Sequence, residues 1–68
     1  MSGISRKILD RKMRSLLEAF YNGDMPTQIH ASSIPVFATA MFGRDGKRAV
    51  NRTRASLRRL GVDVENPA

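Results

Sequence analysis

The chain has 68 residues, with twelve Lys and Arg against six Asp and Glu, a formal charge of +6 and no cysteine. That length holds one domain with a core of marginal size, and neither disulfides nor a thiolate metal site can reinforce it. No apolar run approaches the ~18 residues a membrane span needs, and Met1 to Lys7 lacks the apolar stretch of a signal peptide; a single cytoplasmic domain over 1–68 is expected, with loose termini at 1–4 and 65–68.

Ser5 or Ser2 is placed to cap a first helix. From Arg6 to Asn22, Ile8, Leu9, Met13, Leu16, Leu17, Phe20 and Tyr21 recur at spacings of three and four with doublets, which predicts one broad stripe facing a core. Asp10–Arg14 and Arg14–Glu18 are candidate i,i+4 pairs on the wet side. Arg6, Lys7, Arg11 and Lys12 form a basic cluster with acids interspersed, which reads more simply as a solvated face than as a phosphate contact. Asn22-Gly23-Asp24 ends the helix, and Pro26 keeps it from restarting.

Gln28 to Ala31 alternates weakly and reads as a short strand, with Val62 to Val64 as its partner. His30 is the single histidine. With no carboxylate near it in sequence, it reads as a surface or edge residue rather than a metal ligand or a base. Ser32 or Ser33 caps a second helix with Pro35 in its first turn. Ile34, Val36, Phe37, Ala40, Met41 and Phe42 make that helix apolar nearly all round, so it is expected to be the central, most buried element. Its Met and Phe residues are core packing rather than a cofactor box. Gly43 closes it. Gly43 and Gly46 offer positive φ for the turn that follows, and Asp45 is placed to cap the next helix.

The next segment, Arg44 to Leu60, carries seven of the basic residues and one acid. The remainder of the chain has five of each sign, so the whole excess charge sits in these 17 residues. With Val50 as origin and about 100° per residue, Thr53, Leu57 and Leu60 fall within about 80° of it, while Arg48, Asn51, Arg52, Ala55 and Arg59 fall opposite. Solvated helix faces normally mix signs. Here no acid lies between Lys47 and Leu60, so the arginines repel one another until a polyanion meets them. If such a helix enters a major groove, Arg48, Asn51, Arg52 and Ala55 are the candidate base contacts. Arg forks onto guanine, Asn onto adenine, and Ala (with Ser56 as a further candidate) allows close approach to a thymine methyl. Arg44, Lys47, Arg54, Arg58 and Arg59 are the candidate phosphate contacts.

The expected fold is mainly α: a three-helix helix-turn-helix domain, or a minimal winged helix, with a short two-stranded β pairing of 28–31 with 62–64. Over Phe42 to Leu60 the sequence resembles the winged helix-turn-helix domain that serves as DNA-binding output domain of bacterial response regulators. An aromatic–Gly pair ends the second helix, a basic residue precedes a Val, and a Leu-Arg-basic run follows; Gly43, Arg48, Val50, Leu57, Arg58 and Arg59 hold those positions. The family's N-terminal sheet has no counterpart here, and only Glu65 to Ala68 follow Val64, so the resemblance implies a recognition helix and leaves open whether a wing exists. It implies a small sequence-specific DNA-binding regulator of transcription, with repressor as the expected type; the small size and single domain point to a phage or mobile element as the source. Double-stranded DNA is the expected partner, bound as a homodimer or beside a second protein. No cofactor, metal, membrane or small-molecule substrate is expected. Two other classes fit the charge: an RNA-binding module, and a small inhibitor docking an acidic surface of a host protein. An enzyme is not expected, since one His and no paired carboxylates leave only a basic ribonuclease built on His30.

Overall fold

The computed structural model describes residues 5–65. Ser5 opens helix α1, Arg6–Phe20, in extended geometry, and its hydroxyl accepts a hydrogen bond from the Ile8 amide at 3.2 Å. Ser2, the other candidate cap, lies outside the described residues. Leu9, Met13 and Leu17, one per turn, are the buried residues of α1. The stripe is narrower than its apolar content suggests: Ile8 is 56% exposed and Phe20 54%. Phe20 nevertheless tilts against the buried Phe37 ring, 4.9 Å between centroids. The helix ends with Asn22 and Gly23 both at positive φ, and the Gly23 amide donates back to the Glu18 carbonyl. This is a left-handed helix stop.

Strand β1, Gln28–His30, leads into a 3-10 turn at Ala31–Ser33 and then α2, Ile34–Phe42. Neither Ser32 nor Ser33 caps α2 with its side chain. Instead the His30 imidazole Nδ1 accepts from the Ser32 amide at 3.1 Å and shares a 2.8 Å hydrogen bond with the Ser32 hydroxyl. Ala31 therefore belongs to the turn, not the strand. Ile34, Phe37, Ala38 and Met41 are buried. As expected, α2 is the most buried helix, with four of its nine residues buried, but its outer face is open: Val36 is 51% exposed, and Thr39 and Ala40 are exposed beside it. A helix of nine residues in so small a domain can be covered on one side only, because α1 and α3 both lie on the same side of it.

Gly43 closes α2 at φ 75°, its amide donating to the Thr39 carbonyl at 2.8 Å. Helix α3 spans Lys47–Arg59. Its N-cap is Gly46 in ordinary extended geometry (φ −68°), with no side-chain hydrogen bond. Asp45 does not cap, and Gly46 needs no positive φ. At the far end Gly61 is left-handed at φ 80°, its amide donating to Arg58 and the Val62 amide to Leu57. The two bonds form a Schellman motif, and the expected apolar partner of Leu57 in that motif is Val62, which is buried.

That motif turns the chain into β2, Asp63–Glu65. The two strands pair as expected, but one residue further along, with Gln28 opposite Asp63, Ile29 opposite Val64 and His30 opposite Glu65. They run parallel, are joined through α2 and α3, and do not form a hairpin. Glu65, expected in a loose terminus, is the last residue of β2; residues 1–4 and 66–68, where the rest of both termini was placed, lie outside the described residues. The domain is mainly helical, with three helices and this two-stranded sheet. Its core is Leu9, Met13 and Leu17 of α1, Ile29 of β1, Ile34, Phe37 and Met41 of α2, Leu57 of α3, and Val62.

Candidate nucleic-acid interface

Helix α3 packs chiefly on α2 and also on α1. Its buried residues are Ala49, Thr53, Ser56 and Leu57, with Val50 and Leu60 half-buried. The core face is thus rotated from the Val50–Leu60 stripe towards Ala49 and Ser56. The reason is side-chain size: small residues let α3 approach its neighbours closely. Both buried hydroxyls on that face are satisfied. Thr53 donates to the Ala49 carbonyl at 2.9 Å within the helix, and Ser56 donates to the Asp10 carboxylate of α1 at 2.7 Å. Ser56 therefore faces inward and has no route to a base.

The remaining candidates stand on the surface. Lys47, Arg48, Asn51, Arg52, Arg54, Ala55, Arg58 and Arg59 are all exposed, as is Arg44 in the preceding turn. Asn51 and Ala55 lie almost opposite Thr53 and Leu57 around the helix and form its outermost ridge. Arg48, Arg52 and Arg59 follow the flank towards α1, spanning about 16 Å at 1.5 Å per residue. Arg54 and Arg58 follow the other flank, where a groove is lined by them together with Val62, Asp63 and Val64.

Two of these arginines are held in place. The Arg52 guanidinium lies 4.5 Å over the Phe42 ring, a cation–π contact of about 0.5–1 kcal/mol at an exposed site. Arg59 forks onto Asp10, with Nε and Nη2 each 2.8 Å from a carboxylate oxygen. Among the described residues this is the one ion pair. It replaces the expected Asp10–Arg14 pair, and Arg14–Glu18 does not form. The hydrogen bond from Arg59 holds the Asp10 carboxyl below its ordinary value. The Ser56 hydroxyl and the charges of Arg59 and Arg6 act the same way, while partial burial opposes them. The same hydrogen bond raises Arg59. Arg59, read from sequence as a free phosphate contact, thus already has an internal partner.

The start of α3 is electrostatically unfavourable in isolation. There is no acid in its first turn, no side-chain cap, and Lys47 and Arg48 stand at the positive end of the helix dipole. Asp45, the one acid of the segment, lines the outer face of α2 with Pro35, Val36, Thr39 and Ala40 instead. His30 is exposed and engaged with Ser32, and among the described residues no three His, Cys, Asp or Glu side chains gather in a way that would hold a metal ion. No helix among them is long and apolar enough to cross a membrane. The sequence reading missed Asp10 as the residue that docks the end of α3 onto α1. Comparison with protein-family models, curated proteins and solved structures finds no match to this chain.

Proposed function

We propose that the chain is a sequence-specific duplex-DNA-binding domain that regulates transcription by laying α3 in the major groove. One observation carries this reading: the whole excess charge of the protein lies on one helix whose opposite face is fixed in the core. The helix has no acid of its own, and of its arginines the Asp10 carboxylate pairs with Arg59 alone. Like charges held in a row at an uncapped helix start destabilise the free protein, and a phosphate backbone relieves them. The resemblance of Phe42 to Leu60 to the winged helix-turn-helix output domains supports the same use of this helix.

In this reading Asn51 and Ala55, at the crest of the helix, face base edges, with Arg48 and Arg52 beside them. Arg44, Lys47 and Arg59 set affinity and register through phosphates. One such helix covers a small area for a specific complex. Two copies on a two-fold site, or a partner protein, therefore complete recognition in the cell's DNA-bearing compartment. The test is selection of bound duplexes from a random-sequence library. Asn51→Ala is expected to cost about 1–3 kcal/mol on the selected site and to relax preference at one position, whereas Lys47→Ala weakens selected and random duplexes alike. If the two substitutions lowered binding to both duplexes in the same proportion, base reading by α3 would be excluded.

A further inference from the structure

The two flanks of α3 differ in a way that the helix sequence does not show. On one flank of α3, a groove towards α1 is lined by Arg6, Leu9, Arg52, Ala55 and Arg59, and a second, towards the end of α2, by Phe42, Arg44, Arg48, Ala49 and Arg52. The grooves share Arg52 and so run on from one to the other. They gather five arginines from three parts of the chain: the first residue of α1, the turn before α3, and α3 itself. The single acid bordering them is Asp10, bound to Arg59 and Ser56. On the side towards β2, the groove carries two arginines, Arg54 and Arg58, beside Asp63. Formal charge is therefore +4 on the first flank and +2 on the second, where Lys47 stands in line with Arg54 and Arg58 around the helix. The first flank also has a preset geometry, because Phe42 holds Arg52 from below and Asp10 holds Arg59 from the side. Guanidinium groups already fixed lose less freedom when they engage phosphate oxygens.

We infer that the phosphodiester backbone of one DNA strand runs along the α1 flank of α3, with Arg6 of α1 and Arg44 of the turn as phosphate contacts, and that Arg54 and Arg58 stand off it. This rests on the DNA-binding reading above and specifies how that surface is used. Arg6 belongs to a basic cluster with acids interspersed, and of that cluster only Arg6 lines the groove with Arg52. The asymmetry also fixes which way the duplex leans across the domain, with one strand between α1 and α3 and the crest at Asn51 reaching inward to the bases.

The experiment compares two double variants, R6Q/R44Q and R54Q/R58Q. All four residues are exposed and none takes part in the Asp10–Arg59 ion pair or the Arg52–Phe42 contact, and thermal unfolding of each variant checks that the fold is kept. Binding to a random-sequence duplex is followed by anisotropy across a range of salt. R6Q/R44Q is expected to lower the steepness of log K against log salt by about 2, at roughly 0.9 per phosphate contact, and R54Q/R58Q by less than about 1. An equal loss in both variants, or a greater loss in R54Q/R58Q, overturns the flank assignment and leaves DNA binding by α3 standing. No duplex binding by the wild-type chain even at low salt overturns the DNA-binding reading itself, and the flank assignment with it.

Discussion

Asp10 joins parts of the chain 49 positions apart, accepting from Ser56 and from two nitrogens of Arg59 at 2.7–2.8 Å. Replacing it by Ala strands a buried hydroxyl and frees a guanidinium. The pair is partly solvated, so its Coulombic share is small, and the hydroxyl dominates. Asp10→Ala is expected to cost about 1–2 kcal/mol in urea unfolding. The pH dependence follows from the depressed carboxyl. Since the folded state holds Asp10 below its ordinary value of 3.8, the stabilisation is complete above that value and disappears as pH falls through the folded one. Wild type and Asp10→Asn should therefore differ in Tm at neutral pH and converge in acid; a gap that widened in acid would reverse the assignment. This contact was not legible in the sequence. Local i,i+4 spacing pointed to Arg14, and no pattern relates position 10 to position 59. The inward Ser56 was equally hidden, because a helix wheel separates it from the neighbouring Ala55 by one step and only the close approach of α1 decides which turns in.

Element boundaries were legible where a glycine or proline forces the backbone, and obscure where capping depends on orientation. Gly61 ends α3 in both the sequence and the structure, and its φ of 80° requires glycine, while a Cβ there would meet nothing within 4 Å. Gly61→Ala therefore isolates the backbone term and is expected to cost about 1–2 kcal/mol, measured by chemical denaturation. The start of α3 behaves differently. Asp45 was the obvious cap, yet its side chain lies against the outer face of α2, and Gly46 takes the position with no acceptor to offer. Gly46→Asp should stabilise the fold by a few tenths of a kcal/mol, since it adds an acceptor and a negative charge at the dipole's positive end. The same charge should weaken duplex binding at every salt concentration. Gain in stability with loss of binding is the signature of a helix start left open for an anion; gain in both would contradict it. The breadth of the buried faces was misjudged for a related reason. Ile8, Phe20 and Val36 are apolar, but three helices and two short strands cannot cover every side of one another.

At the scale of the whole molecule, the strand pairing and the three helices place α3 across the domain with its small residues inward and its arginines outward. Sequence pattern was enough for that much, because the segregation of charge and the helical period lie in one contiguous segment. The parallel sense of the strands, and the inequality of the two flanks of α3, arise only from how separate elements meet. The proposed function rests on one physical property, an unbalanced positive surface shaped as a helix ridge. The direct test is fluorescence anisotropy of the wild-type chain with a random duplex and with a structured RNA, from about 50 to about 300 mM salt. A steep fall in duplex affinity with salt, and weaker binding to the RNA, is the expected result. Absent or salt-insensitive binding to the duplex would contradict the assignment of α3 to DNA and leave its arginine face for a protein partner.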